Sequence, residues 1–306
     1  MKCINPSIIE GNWIRCGDCG GCRVSKMQEW MIRIEAEAKQ AKSVFFTTTT
    51  YEESRMTKVN IYTGEICPTG TLNPEHHVAF MKSLRYYQNE ISETKIRFFH
   101  VAEYGGNYGR PHGHYIFFNL EPSLNPILSQ IWKHGHVFSQ PISGGAINYV
   151  SAFHCTVNKV KGKRTRGSYP KMVDTPKKGT INRPKCDEYG RVPEYTRQSR
   201  NPGIGNCYLT PEKIKWHREN EALYLIQNGY KKSLPSYYHK KIWPDEDELW
   251  QLKMDNSDRI DQLEEEELER FRKMKFEHPF RELHSRQVNQ ANLKMRRIEE
   301  YKRHLH

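Results

Sequence analysis

Apolar side chains recur along the first part of the chain with two different spacings, which predict helices and strands in turn. Residues 26–42 and 75–92 carry apolar side chains every three or four positions, the spacing of one helix face. Residues 44–51 and 95–103 are short runs rich in β-branched and aromatic residues, as in strands of a sheet. A glycine-rich turn joins the second of these strands to a third run at 111–118, which predicts a hairpin.

Weaker patterns follow in the second half of the chain. They predict a short helix near 124–133, a strand near 135–142 and a helix that starts near Ala146. Residues 210–228 are predicted to be helical, and a long charged helix is predicted from residue 245 onward.

The charge of the chain is large and unevenly distributed. The formal net charge is +12, and hydrophobic residues make up 36% of the sequence. Residues 1–244 hold 35 lysines and arginines against 20 acidic residues, whereas residues 245–306 hold 13 against 16. Residues 161–200 alone hold 12 basic and 4 acidic residues, which predicts a basic loop. Such a body favours a polyanionic partner, either nucleic acid or an anionic membrane surface.

The sequence offers neither a secretory signal nor a membrane span. Residues 1–6 lead into no apolar core of a signal peptide, and no run approaches the ~18–20 apolar residues that a span requires. We therefore expect a soluble protein of the cytoplasm that has no membrane partner.

Two histidines in the third strand are the strongest chemical signal. His112 and His114 lie two positions apart, so in a strand they point to the same face and can share a divalent metal ion. Glu103, across the hairpin, is the best-placed carboxylate for a third ligand, and this donor set suits Mg²⁺ or Mn²⁺. The plainer interpretation is a structural histidine pair and a surface acid. A second pair, His134 and His136, lacks the flanking apolar run and is interpreted as a decoy.

The N-terminal region is rich in cysteine and glycine. Cys16, Cys19 and Cys22 form a tight triple, and Cys3 can return as a fourth thiolate of a tetrahedral structural Zn²⁺ site. An iron–sulfur cluster is the alternative, although the cysteine–proline pair that completes the ferredoxin pattern is missing. A cysteine cluster without metal is the remaining alternative.

Tyr149 is the candidate nucleophile. A tyrosine hydroxyl can attack a phosphodiester and hold a DNA end as a phosphotyrosine ester, while a neighbouring metal ion stabilises the developing charge. With 17 tyrosines in the chain, Tyr149 stands out only by its position, on the helix that follows the histidine strand.

These pieces together resemble a known series of motifs. The series consists of Cys16-x-x-Cys19-x-x-Cys22-Arg23, Phe46-Thr-Thr-Thr-Thr-Tyr51, Glu103-Tyr-Gly, Arg110-Pro-His-Gly-His114, Tyr149-Val150 and Pro202-Gly-Ile-Gly205. Over about residues 3–240 the chain resembles the replication initiation proteins of small single-stranded DNA phages, the Microviridae of gokushovirus type. Those proteins belong to the rolling-circle endonucleases named for a His–hydrophobic–His (HUH) motif.

The resemblance implies an α+β fold with an antiparallel sheet of the HUH-endonuclease (RRM/ferredoxin-like) type and helices packed on it. On this basis we expect five regions along the chain. They are a cysteine-rich metal knuckle at 1–25, an endonuclease core at 26–160, a basic DNA-contacting loop at 161–205, a helical completion of the body at 206–244 and a charged helical tail at 245–306.

The resemblance also implies a function. Tyr149 would nick one strand at a viral origin, form a 5′-phosphotyrosine intermediate and rejoin the strand into a circle, with the metal held by His112, His114 and Glu103. The partners would be single-stranded and replicative-form viral DNA in the cytoplasm of a bacterial host, with host helicase and polymerase as further candidates. The residues expected to contact DNA are Arg110, Lys159, Lys161, Lys163, Arg164 and Arg166.

The chain departs from the family pattern at two places. The family's second tyrosine is Phe153 here, which cannot attack a phosphate, so the sequence favours a single-tyrosine scheme or a second protein copy at termination. The residue between the two histidines is Gly113 rather than a bulky hydrophobe. Two other classes stay open at this point, a non-catalytic zinc-containing DNA-binding protein and a metal-dependent hydrolase that uses water.

Overall fold

The computed structural model of the chain combines an antiparallel sheet with helices on both of its faces. It describes residues 3, 6–9, 12–17, 19–105, 109–152, 186–187, 189–274 and 278–303. The strands are β1 (Ser7–Ile9), β2 (Asn12–Ile14), β3 (Val44–Tyr51), β4 (Arg97–Tyr104), β5 (Pro111–Phe118), β6 (Gly135–Pro141), β7 (Tyr195–Gln198), β8 (Tyr224–Gln227) and β9 (Tyr230–Ser233). The helices are α1 (Gly20–Gln40), α2 (Pro74–Ile91), α3 (Leu128–Trp132), α4 (Gly144–Ala152), α5 (Pro211–Glu219), α6 (Ser236–Ile242), α7 (Glu246–Lys273) and α8 (Pro279–Arg303).

The central sheet has the strand order β6-β3-β5-β4-β7, and every neighbouring pair is antiparallel. β5 lies in the middle, and every residue of it is buried, as its aromatic and β-branched sequence requires. In β3 the burial alternates strictly between half-buried and buried residues, the period-two pattern of a strand whose two faces differ.

One face of the sheet is covered by α2 and α3, and we call it the α2 face. Phe80 and Leu84 of α2 pack there against Tyr115 and Phe117 of β5, and Trp132 of α3 closes the same cluster. α2 begins where Asn73 accepts a hydrogen bond from the backbone of Glu75 and Pro74 occupies the first turn, a favourable helix start.

The opposite face, which we call the site face, is covered at one end by α1 and α4. Trp30 and Ile34 of α1 and Val150 of α4 pack there against Ile116 and Phe118 of β5. This apolar packing holds α4 against the sheet. The other end of the same face carries the polar residues described below.

The remaining helices extend the body. α6 and the start of α7 form a separate apolar cluster with Ile32 of α1, and α8 contacts both α1 and α4. Among the described residues, no helix combines the length and apolar character that crossing a bilayer demands.

The predicted α+β class and the antiparallel sheet with packed helices are confirmed, while the HUH type and the five regions stay predictions. The predicted strand at 44–51 is found at those residues. Three predictions are wrong. α1 already begins at Gly20, inside the predicted loop-like knuckle, and β7 lies inside the predicted basic loop. The predicted helix at 210–228 ends at Glu219, and the β8–β9 hairpin follows it.

Candidate active site

Four predicted residues meet at the open end of the site face. Glu103 lies directly opposite His112 in the β4–β5 register, and His114 follows two positions along the same strand. α4 brings Tyr149 onto them from above the sheet, because its neighbour Val150 is anchored in the apolar cluster beneath. All four side chains are less than one-tenth exposed.

The two histidines and the glutamate have the spacing of a metal-binding set. His114 Nε2 lies 3.3 Å and His112 Nε2 3.6 Å from Glu103 Oε1, and the candidate ligand atoms all lie within 4.8 Å of one another. Two imidazole nitrogens and a carboxylate oxygen are ligands that a divalent ion accepts in proteins. The set therefore fits a metal ion by its chemistry as well as by its position.

The rings of both histidines are oriented by their second nitrogen. His112 Nδ1 lies 3.0 Å from the carbonyl oxygen of Arg110, which can only accept, so Nδ1 carries the proton and the lone pair of the neutral ring lies on Nε2, toward Glu103. His114 Nδ1 lies 3.0 Å from Thr48 Oγ1. Fixing a histidine in this way is how proteins orient metal-binding imidazoles.

The Tyr149 hydroxyl touches this set directly. It donates a hydrogen bond of 2.5 Å to Glu103 Oε1 and lies 3.0 Å from His114 Nε2. The ring meets Phe46 and His114 edge to face, with centroids 6.2 Å and 4.8 Å away, which fixes the direction of the hydroxyl.

Charge and burial oppose ionisation of this tyrosine. Burial raises the pKa of Tyr149 far above its ordinary value, and the negative charge and accepting hydrogen bond of Glu103 raise it further. Burial by itself lowers the pKa of His112, but the hydrogen bond and charge of Glu103 outweigh that effect and raise the pKa overall. A positive charge beside Glu103 would favour the tyrosinate.

A cavity of about 470 Å³ opens over these groups. It is lined by Phe46, Thr48, Thr50, Gly105, Arg110, His112, His114, Phe138, Gln140, Ser143, Gly145, Ala146 and Tyr149. Sequence inspection missed Thr48 and Phe138, although period-two alternation along two neighbouring strands would place both on the site face.

The glycine between the two histidines has a steric cause. Gly113 points to the α2 face, where a Cβ atom would lie 2.8 Å from His100 Nε2 and 2.9 Å from Thr49 Oγ1. Both contacts are closer than real Cβ atoms tolerate, and His100 is fully packed, so a bulky hydrophobe has no room here.

The four N-terminal cysteines also converge. Their sulfur atoms lie within 4.8 Å of one another, with Cys3 and Cys16 Sγ atoms 3.5 Å apart and Cys3 and Cys19 Sγ atoms 3.8 Å apart. Zinc–sulfur bonds of about 2.3 Å in a tetrahedron separate sulfurs by about 3.8 Å, so the cluster fits a Zn²⁺ ion. Burial raises the pKa of Cys22 to about 12, and its contact with Cys19 acts in the same direction.

Other predicted residues lie elsewhere. His134 stacks on His76 with centroids 3.7 Å apart, and the exposed His136 lies on β6; neither joins the metal-binding clusters found among the described residues. Arg110 lines the cavity and pairs with Glu53 Oε2 at 3.0 Å. Phe153, Lys159, Lys161, Lys163, Arg164 and Arg166 lie outside the described residues.

Comparison with known proteins connects this site to phage replication. Residues 44–156 match the family model for the replication-associated protein ORF2. The chain is 26% identical to replication-associated protein ORF2 of Spiroplasma virus 4 over 263 residues, which cover 79% of this chain and 72% of that protein.

A second relative is replication-associated protein ORF4 of Chlamydia phage 1, at 26% identity over 157 residues, 45% of this chain and 37% of that protein. No solved structure matches the chain. The predicted resemblance to phage replication initiators is confirmed by these matches.

Proposed function

We propose that this chain, a relative of phage replication-associated proteins, is a metal-dependent tyrosine endonuclease that starts rolling-circle replication by nicking one DNA strand. The observation that carries the proposal is the position of the Tyr149 hydroxyl, 2.5 Å from Glu103 Oε1 and 3.0 Å from His114 Nε2. A nucleophile in contact with a candidate metal-binding set, at the edge of a cavity, is the arrangement that phosphodiester transfer requires.

The reaction balances with the groups at hand. Tyr149 Oη attacks the phosphorus atom, a tyrosine–phosphate bond forms and the bond from phosphorus to the 3′-oxygen breaks. Glu103 accepts the hydrogen bond of that hydroxyl, so it is the group positioned to take the proton, and the 3′-oxygen leaves as a hydroxyl. After one round, the 3′-hydroxyl attacks the phosphotyrosine, releases Tyr149 and closes a circle.

Glu103, His112 and His114 would hold the metal, Mg²⁺ or Mn²⁺. When bound, it supplies Lewis-acid polarisation of the phosphate and neutralises developing negative charge. The raised pKa of Tyr149 is the reason why such a positive charge matters at this position. A structural Zn²⁺ ion on Cys3, Cys16, Cys19 and Cys22 is part of the same proposal and would brace the start of α1.

The DNA substrate is inferred from charge. The body of the chain carries a large excess of lysine and arginine, and Arg110 lies at the mouth of the cavity. We propose viral DNA, single-stranded and replicative-form, as the partner, with Arg110, Lys159, Lys161, Lys163, Arg164 and Arg166 along its phosphates. Binding should then weaken steeply as salt increases, because each neutralised phosphate releases counterions.

The test is a covalent capture experiment. The purified protein is incubated with Mn²⁺ and overlapping single-stranded oligonucleotides of the phage genome, and the products are separated on a denaturing gel. We expect a protein–DNA adduct from at least one oligonucleotide and its loss in Tyr149→Phe, a change that removes one hydroxyl and keeps the ring.

Tyr195→Phe is a suitable control, because Tyr195 is equally buried but lies on β7 and packs on the α2 face. It should retain the adduct. Cleavage without an adduct would indicate water as the nucleophile, and binding without cleavage in a metal-loaded preparation would indicate a non-catalytic DNA-binding protein. An adduct that survives Tyr149→Phe would overturn the assignment of the nucleophile.

A further inference from the structure

Phe138 is an exposed aromatic residue in a part of the sheet where other aromatic rings are buried. Its exposed fraction is 62%, whereas Phe117 and Phe118 of β5 are fully buried. It lies on β6, an edge strand, and lines the same cavity as His114 and Tyr149. A large apolar side chain that is left in water at the rim of a reaction cavity suggests a binding role.

The strand register connects this ring to the site. Phe138 pairs with Thr48 on β3, and Thr48 pairs with His114 on β5, so the three residues form one row across three strands. Neighbouring strands lie about 4.8 Å apart, which puts the backbone of Phe138 roughly 10 Å from that of His114. That span suits a group attached next to the reacting phosphate rather than the phosphate itself.

The next row adds a polar group. Gln140 pairs with Phe46, lines the cavity and lies two residues beyond Phe138 on the same face of β6. Its amide offers both donors and an acceptor, which is what the edge of a nucleobase can use. An aromatic face beside an amide is therefore suited to a base, which presents a flat ring and a polar edge.

We propose that Phe138 is a stacking platform for one nucleobase of single-stranded DNA beside the phosphate that Tyr149 attacks, with Gln140 against the edge of that base. The proposal rests on the proposed function. Its occupant is a nucleic acid rather than a protein because the platform is continuous with the cavity over the candidate phosphate site and the body of the chain is strongly basic. The role is positioning, since Phe138 contacts a base and not the reacting atoms.

The first test needs no catalysis. Binding of a fluorescent oligodeoxythymidine is compared with binding of a strand of equal length whose sugars carry no bases, using the full chain with Tyr149→Phe. Because stacking on an aromatic ring tolerates any base, Phe138→Ala should weaken binding of the oligodeoxythymidine about 5- to 100-fold and leave binding of the base-free strand unchanged.

Two variants serve as controls. Phe138→Trp should retain the affinity, because it keeps an aromatic face. Phe280→Ala removes a phenylalanine that is also largely exposed, but on α8 and away from the cavity, and should have no effect. An equal loss on both strands, or no loss on the oligodeoxythymidine, would overturn the platform.

The second test locates the base. In an oligonucleotide whose nick position has been mapped, single abasic sites are introduced on each side of the nick. At one position the abasic site should weaken binding as much as Phe138→Ala does, and the two changes together should add nothing further. If every position is additive with Phe138→Ala, the platform is wrong even though the adduct forms; if no adduct forms, the endonuclease proposal fails while the first test still stands.

Discussion

The two faces of the central sheet each carry a close pair of histidines, and the pairs have opposite electrostatic surroundings. On the α2 face, the rings of His77 and His100 stack with centroids 4.4 Å apart. On the site face, His112 and His114 meet edge to face with centroids 4.8 Å apart, and Glu103 lies within 3.6 Å of both. One pair is packed among aromatic rings, and the other faces a carboxylate.

The pKa values follow these surroundings. Burial, and then the charges of Arg197 and Arg85, lower the pKa of His77 to about 3, and burial lowers that of His100 well below its ordinary value. The pKa of His112 is raised, because Glu103 outweighs the effect of burial. A buried histidine therefore acquires its properties from the face it occupies: the α2 pair is fixed in the neutral state, whereas the site pair has the donor set of a metal site.

Removing one histidine from each face should separate the two roles most clearly. Under the proposed function, His114→Ala should lower the rate of adduct formation at least about 100-fold, since a candidate metal ligand is lost, with little change in the melting temperature without metal. His100→Ala should do the reverse and lower the free energy of unfolding by about 2–4 kcal/mol, because it leaves a cavity.

Gel assays of the adduct and denaturant unfolding of both variants measure this. The comparison between the faces fails if His114→Ala unfolds as readily as His100→Ala while each retains the same activity per folded molecule.

The sequence predicted the site face far better than the α2 face. Two histidines in one strand share a face by local geometry alone, and a short hairpin brings Glu103 to the same end of the sheet. His77 and His100 come from a helix and a different strand, and no local pattern indicates that a fold will stack them. The β8–β9 hairpin did carry a local signal, since Asn228 and Gly229 form its turn with φ of 52° and 78°, but the helical pattern before them was extended too far.

Filling the gap between the faces should be the next largest effect. Gly113→Val is expected to lower the free energy of unfolding by about 3 kcal/mol, because its Cβ meets His100 Nε2 and Thr49 Oγ1. Adding His100→Ala to Gly113→Val should relieve part of that loss, with a coupling free energy of at least about 1 kcal/mol in a double-mutant cycle. Strict additivity in chemical denaturation would show that the two residues do not collide.

A smaller effect is expected from the hydroxyl that orients His114. Thr48→Val keeps the β-branched shape but removes the oxygen 3.0 Å from His114 Nδ1, so Mn²⁺ affinity should fall about 10- to 100-fold. Calorimetric titration with Mn²⁺ measures this directly. Thr50→Val is the matched control, because Thr50 lies on the same strand and face and is not hydrogen-bonded to a site histidine in the described part of the chain; equal losses in both variants would exclude the orienting role.

The smallest effect concerns the neutral state of the α2 pair. Since the folded pKa of His77 is about 3 and the unfolded value is about 6.5, its neutral form stabilises the fold fully above pH 6.5, and that contribution is lost progressively as the pH falls toward 3. Between pH 7 and pH 5.5 this one residue should cost the fold about 1 kcal/mol. His77→Gln keeps a polar group near the Tyr115 hydroxyl but does not titrate, so its unfolding free energy should decline less over that range. Equal declines for His77→Gln and the parent chain in urea unfolding would mean that His77 already accepts a proton in the folded state, and the contrast between the two faces would then rest on Glu103 alone.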